Sequence, residues 1–205
     1  MGLSAERLRE GIDAIAALDE HIAAAFGRAG YPEPRIRAQG YETLLRTIVG
    51  QQVSLGAANS IWNKLEAAIG DIADPRALLA RSFEDLRGAG LSRQKIGYAQ
   101  SLAELSASGA IDFANLPADD EEAIALLSAV KGIGRWSAEI YLLFAEERPD
   151  IWPAGDLAVQ AELGRIKGLP KRPTEREARE IAELWRPHRG AAAIFMWHHY
   201  KTSVL

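Results

Sequence analysis

Apolar residues recur every three or four positions along nearly the whole chain, the period of a helix with one buried face. Glu6 to Phe26 is an Ala/Leu/Ile-rich amphipathic stretch, ended by Gly27, Gly30 and Tyr31-Pro32-Glu33-Pro34. Leu44, Leu45, Ile48 and Val49 make a buried stripe that Gln51-Gln52-Val53-Ser54 interrupts; a helix resumes from Ala57 to Ile69 and stops at Gly70. Asp74-Pro75 supplies an N-cap and an N1 proline for a short helix, because proline lacks only an N–H that the first turn leaves unbonded. Ser82 with Asp85, and Thr174 with Glu177, have capping-box spacing. Ser92 caps a long helix over Arg93–Ser106, and Pro117-Ala118-Asp119 opens another. Further helices are predicted from Trp136 to Ala145, from Asp156 to Gly164, from Thr174 to Trp185 and from Gly190 to Tyr200. No alternating run argues for a strand. The pattern predicts an all-α fold of two helical lobes with a cleft between them, one from about 41–134 and one combining about 1–40 with 135–205.

Composition adds limits. A chain of 205 residues suffices for two small lobes. No apolar run approaches the roughly 18–20 residues of a membrane span. Cys 0 excludes disulfides, iron–sulfur clusters and thiolate zinc sites, and points to a cytoplasmic protein. His188, His198 and His199 have no carboxylate or Cys at ligand spacing and read as surface or helix-packing residues. Net charge of −4 weighs against a nucleic-acid partner. The charge is uneven, however: Arg165 to Arg189 is locally basic, and a local basic face binds phosphate while the far side stays acidic.

Candidate chemistry concentrates at two places. Leu127-Ser128-Ala129-Val130-Lys131-Gly132-Ile133-Gly134-Arg135-Trp136 reads as a helix, a tight hairpin and the start of a second helix. Gly132 and Gly134 permit the turn, and Ile133 anchors it. Such a hairpin gathers backbone N–H groups at a helix N-terminus, an arrangement that attracts phosphate; a glycine-capped connection between helices has the same outline. Some twenty residues on, Pro153-Ala154-Gly155-Asp156 places one carboxylate at the start of a helix, where it serves as an N-cap and stays ionised.

The pattern apolar-x-Gly-Ile-Gly-Arg-x-Ser-Ala, the downstream Asp156, the element Ile48-Val49-Gly50-Gln51-Gln52-Val53-Ser54 followed by Ala57-Ala58, and the tail Trp185-Arg186-Pro187-His188-Arg189 with Trp197 together resemble the helix-hairpin-helix (HhH-GPD) DNA glycosylases. Within them the chain is most similar to the 3-methyladenine DNA glycosylase II family. The resemblance covers about Tyr41 to Tyr200.

That resemblance implies a monofunctional enzyme that flips alkylated purines out of duplex DNA and hydrolyses the N-glycosidic bond, leaving an abasic site for base excision repair. It implies Asp156 as the catalytic carboxylate. Trp136 and Trp197 would line the base pocket, with Ile140 and Leu157 where some relatives carry rings. Gln51, Gln52 and Val53 would form the wedge that fills the gap left by the extruded nucleotide. Gly132, Gly134, Arg135 and Ser54 would hold a DNA phosphate. No cofactor is implied beyond a monovalent cation on the backbone carbonyls of Ser128, Val130 and Ile133. Relatives that also cut the strand have Lys where this chain has Trp136, so no lyase activity is expected. Trp136 taken alone also suits core packing. Arg186 and Arg189 suit phosphate contacts or plain surface charge equally well. An alkylated purine is cationic and leaves without a general acid, so one anion and aromatic faces suffice. The expected partner is double-stranded DNA carrying alkylated bases, with no membrane, no obligate protein partner and a monomeric state. Oxidised or deaminated bases, or a non-catalytic DNA-binding role for the hairpin alone, are the other functions these motifs allow.

Overall fold

The computed structural model describes residues 3–202 and is helical throughout, with no strand among them. It divides into a terminal unit, 1–37 with 142–205, and an inserted unit, 38–141. The division falls after Tyr141, whereas the sequence placed it near Gly134; the residues after the hairpin are counted with the hairpin itself.

The chain begins in the terminal unit with α1 (Ala5–Leu18) and α2 (Glu20–Ala29). The periodicity over Glu6–Phe26 predicted one helix here. Asp19 breaks it: its backbone turns extended and its carboxylate accepts the N–H groups of His21 and Ile22 at 3.1 and 3.4 Å, capping α2. Gly27 lies inside α2, which runs on to Ala29.

The inserted unit follows, with α3 (Tyr41–Gly50), α4 (Leu55–Ile69), α5 (Pro75–Leu79), α6 (Phe83–Gly88), α7 (Arg93–Ala107), α8 (Asp120–Ser128) and α9 (Arg135–Phe144), whose residues from Leu142 on count with the terminal unit. The side chain of Asp74 caps α5, the Ser82–Asp85 capping box closes on α6, and Ser92 caps α7, each by local side-chain chemistry. α7 is the centre of this unit and packs against α3, α5 and α6. Its core holds Leu44, Leu45, Ile48, Leu65, Leu78, Leu86 and Leu102, all fully buried; each such side chain contributes about 1.5–3 kcal/mol of burial.

The chain then returns to the terminal unit with α10 (Leu157–Ile166), α11 (Glu175–Ala182) and α12 (Arg189–Thr202). α12 packs against α1, α2 and α10 around Leu8, Ile12, Ile22, Leu163, Phe195 and Met196. The stretch predicted as one helix from Thr174 to Trp185 ends its α-helical part at Ala182 and finishes as a 3₁₀ turn over Glu183–Trp185. Asp19 ties the unit together. Its Oδ2 accepts from Lys167 Nζ at 2.8 Å and from Trp185 Nε1 at 3.0 Å. Among the described residues no helix is long and apolar enough to cross a membrane.

Candidate functional site

In the terminal unit the chain reaches α10 through Ile151-Trp152-Pro153-Ala154, all buried. Trp152 is held by its indole N–H on the Ala178 carbonyl at 3.1 Å and by an edge contact with Trp185. Asp156 is the N-cap of α10: its Oδ1 accepts the amides of Ala158 and Val159, both at 2.9 Å. A third donor reaches the same oxygen, Trp197 Nε1 at 3.2 Å. The two residues given separate roles from the sequence are therefore directly bonded.

The Trp197 ring rests against Phe144, with centroids 5.6 Å apart and planes tilted by 32°. The Arg37 guanidinium lies over the Phe144 ring in turn. A recess beside Trp197 is lined by Phe144, Ile194, Arg35, His198 and Lys201. Leu157, next to Asp156, is 62% exposed and contributes to no core.

The hairpin belongs to the inserted unit. Val130 and Ile133 are buried, and the Ile133 N–H closes the turn on the Val130 carbonyl at 3.0 Å. Gly132 takes φ +82°, and an added Cβ would lie 2.1 Å from the Tyr98 ring, so only glycine fits. Gly134 is the opposite: an added Cβ would meet nothing within 4 Å. That open side leaves room for a ligand to approach the backbone. The Lys131 N–H is held by Ser101 Oγ at 3.2 Å. Ser128 Oγ is buried without a hydrogen-bond partner.

Arg135 does not extend toward a ligand. Its guanidinium forks onto both oxygens of Glu121 and also donates to Glu139 at 3.0 Å. The bond to Glu121 makes Arg135 even harder to deprotonate than an ordinary arginine. Beside it, Lys131 is exposed at the turn. Trp136, one residue past Arg135, is 46% exposed rather than packed in the core, while Ile140 one turn later is buried.

The loop between α3 and α4 separates its residues by role. Gln51 turns inward, donating from Nε2 to the Gly132 carbonyl at 2.9 Å. Gln52 adopts φ +55° and is exposed, as is Val53. Ser54 caps α4, accepting the Ala57 N–H at 3.3 Å. Sequence reasoning missed Leu55, which is 80% exposed at the first position of α4. The available signal was a leucine placed ahead of the buried stripe Trp62, Leu65 and Ile69.

The basic run from Arg165 to Arg189 is largely neutralised. Arg176 pairs with Glu180, Arg179 with Glu175, and Arg186 and Arg189 both with Asp150 and Glu183. Arg186 and Arg189 thus brace the turn before α12. His199 is also internal: its Nδ1 is bonded to Glu162 Oε1, and both residues are buried.

Residues 45–187 match the HhH-GPD superfamily base excision DNA repair protein family. DNA-3-methyladenine glycosylase 1 of Schizosaccharomyces pombe is 35% identical over 173 residues, which span 82% of this chain and 75% of that one. The solved structure of the Schizosaccharomyces pombe 3-methyladenine DNA glycosylase (Mag1) in complex with abasic DNA superposes with TM-score 0.77 and 32% identity, covering 96% of this chain and 97% of the other. The DNA-3-methyladenine glycosidase of Bacillus halodurans superposes with TM-score 0.88 and 28% identity, covering 100% and 93%.

Proposed function

The chain belongs to the HhH-GPD superfamily of base excision DNA repair proteins, and from that premise we propose that it is a monofunctional DNA glycosylase releasing alkylated purines from duplex DNA. The observation that carries this reading is the Asp156 carboxylate, held at the N-terminus of α10 by two amides and by the Trp197 indole.

Cleavage of a purine N-glycosidic bond leaves positive charge on the deoxyribose. A fixed carboxylate beside C1′ stabilises that charge, and because its donors are already in place it needs little reorganisation as the bond breaks. Water oriented by Asp156 then adds at C1′ and gives up its proton to solvent, leaving the hydroxyl of the abasic sugar. A purine alkylated at N3 or N7 is itself cationic, so it departs without a proton donor. The Trp197 indole face beside Asp156 suits a cationic base, an attraction of about 0.5–2 kcal/mol depending on desolvation, and Trp136 offers an exposed indole on the inserted unit. No lysine follows Gly132-Ile133-Gly134-Arg135, so the chain has no amine there to form a Schiff base with the sugar.

The inserted unit would hold the DNA. The hairpin offers main-chain donors to a phosphate on the open side of Gly134, and Gln52, Val53 and Leu55 stand out where a side chain can enter the space left by an everted nucleotide. A monovalent cation at the hairpin fits the residues present: Ser128 Oγ is a buried oxygen without a partner, and carbonyl oxygens are the ligands of potassium in channel filters. The backbone carbonyls of Ser128, Val130 and Ile133 would hold it, and it would add positive charge at the hairpin.

The test is incubation of the protein with a panel of oligonucleotide duplexes bearing 3-methyladenine, 7-methylguanine, an oxidised purine or a deaminated purine. Free base and strand integrity are followed together. Release of free methylated purine with intact abasic strands supports the reading. Preferential release of the oxidised or deaminated base, or a covalent adduct trapped by borohydride, contradicts it.

A further inference from the structure

Glu162 and His199 are a buried pair in the terminal unit that the chemistry above leaves without a task. Glu162 lies on α10 and is 0% exposed; His199 lies on α12 and is nearly as deep. The Arg165 guanidinium sits 3.1 Å from the second Glu162 oxygen, as a neighbouring charge outside hydrogen-bond geometry.

The same two helices carry the site. α10 begins at Asp156, and α12 carries Trp197 two residues before His199. Two polar bonds therefore join α12 to α10, Trp197 to Asp156 and His199 to Glu162. Residues two apart on a helix project about 200° from one another, so α12 is bonded to α10 from both of its flanks. A directional bond on each flank adds to the apolar packing of α12 a constraint on its roll and register.

Stability alone does not call for this pair. Apolar groups of the same shape in place of both partners of a buried hydrogen-bonded pair are often nearly neutral, whereas directional bonds specify one arrangement among several of similar packing. We infer that Glu162 and His199 are positioning residues, which hold α12 in the register that brings the Trp197 indole N–H onto Asp156. The inference rests on the proposed function for its catalytic consequence, though not for its structural one.

The experiment compares His199→Leu, His199→Gln and the double variant Glu162→Leu/His199→Leu in the full chain. Three quantities are read: solvent exchange of the Trp197 indole N–H by NMR, assigned with Trp197→Phe; single-turnover release of 7-methylguanine; and the thermal midpoint. His199→Leu should speed indole exchange and slow release, each about tenfold, with half-saturating DNA unchanged. His199→Gln, which can still donate to Glu162, should stay within about threefold of wild type on both. The double variant should regain thermal stability while the indole stays unprotected. An indole whose exchange is unchanged in His199→Leu overturns the inference, as does a double variant that regains protection together with stability. Should His199→Leu not fold, the other two variants decide. A wild-type protein that releases no base would remove the proposed function, and the indole exchange would still decide the role of the pair.

Discussion

The Gln51 side-chain amide donates to the Gly132 carbonyl across 81 positions of sequence, at 2.9 Å. It joins the loop between α3 and α4 to the hairpin, the two elements of the inserted unit proposed to meet DNA. Gln51 thereby leaves the tip of the loop to Gln52 and Val53. Lys95 supports the same loop, donating from Nζ to the Val49 carbonyl at 2.7 Å near the end of α3.

Gln51→Ala removes one hydrogen bond, worth about 0.5–1.5 kcal/mol, and should lower single-turnover base release by about 3- to 10-fold. Gln51→Glu should cost more, since a carboxylate would face a carbonyl with no donor between them. Stopped-flow fluorescence from 2-aminopurine beside the lesion checks this. Extrusion should slow in both variants, and an unchanged trace would show that the link is idle.

The two hairpin glycines should separate stability from binding. Gly132→Ala forces a methyl against the Tyr98 ring at a positive φ and should lower stability by about 2–4 kcal/mol, read as a fall in thermal midpoint. Gly134→Ala meets no atom of the protein and should leave the midpoint within about 0.5 kcal/mol of wild type. It should nonetheless weaken abasic-DNA binding, because its methyl occupies the side from which a phosphate would approach. Equal affinities for Gly134→Ala and wild type would rule that approach out.

Much of the fold was legible because helix ends are local. The Asp74-Pro75 start, the Ser82–Asp85 box and the Thr174–Glu177 box depend on residues within one turn, and all three form. The break at Asp19 was hidden, since Leu18-Asp19-Glu20 preserves helical periodicity and the partners that reward the break, Lys167 and Trp185, lie 148 and 166 positions away. The candidate site divides in the same way. Motif spacing singled out Asp156 and Trp197, but no spacing reveals a bond across 41 positions, nor that Glu121 claims Arg135 from 14 away. His199 read as a packing residue because its carboxylate partner comes from another helix, 37 positions earlier.

Asp19 gives the terminal unit an acid-sensitive joint. Burial pushes its carboxyl pKa upward, but hydrogen bonds from Lys167, Trp185 and Ile22 outweigh burial and leave it below the ordinary 3.8. A carboxylate with a depressed folded value contributes stability that is complete above the unfolded value and lost as pH falls through the folded one. Asp19→Asn should therefore melt well below wild type at pH 7, by about 2–4 kcal/mol, and the gap should close below about pH 3.8. Melting curves from pH 7 to pH 2 check this; a gap independent of pH would assign the loss to shape rather than charge.

Internal pairing of Arg135, Arg176, Arg179, Arg186 and Arg189 withholds these five guanidinia from DNA, so the hairpin's phosphate contact falls more to its backbone amides. Each phosphate neutralised by Lys or Arg adds about 0.9 to the slope of log affinity against log salt. Titration of an abasic duplex from 50 to 200 mM salt should give a slope of magnitude below about 4, against the roughly 6–10 contacts of a strongly basic binder. A slope steeper than that would contradict a grip on the phosphates carried mainly by the main chain.

Single-turnover release of 7-methylguanine from a defined duplex by Asp156→Asn, beside wild type and at saturating protein, tests the central claim most directly. Asparagine keeps the size of the side chain and an oxygen for the Ala158 and Val159 amides, while it removes the charge and exchanges the other oxygen for an NH2 group. The account predicts a rate lower by about 10²–10³-fold, or roughly 2.7–4 kcal/mol of transition-state stabilisation, with abasic-DNA affinity unchanged. A variant that releases the base within a few-fold of the wild-type rate would show that the negative charge at Asp156 does not drive the reaction.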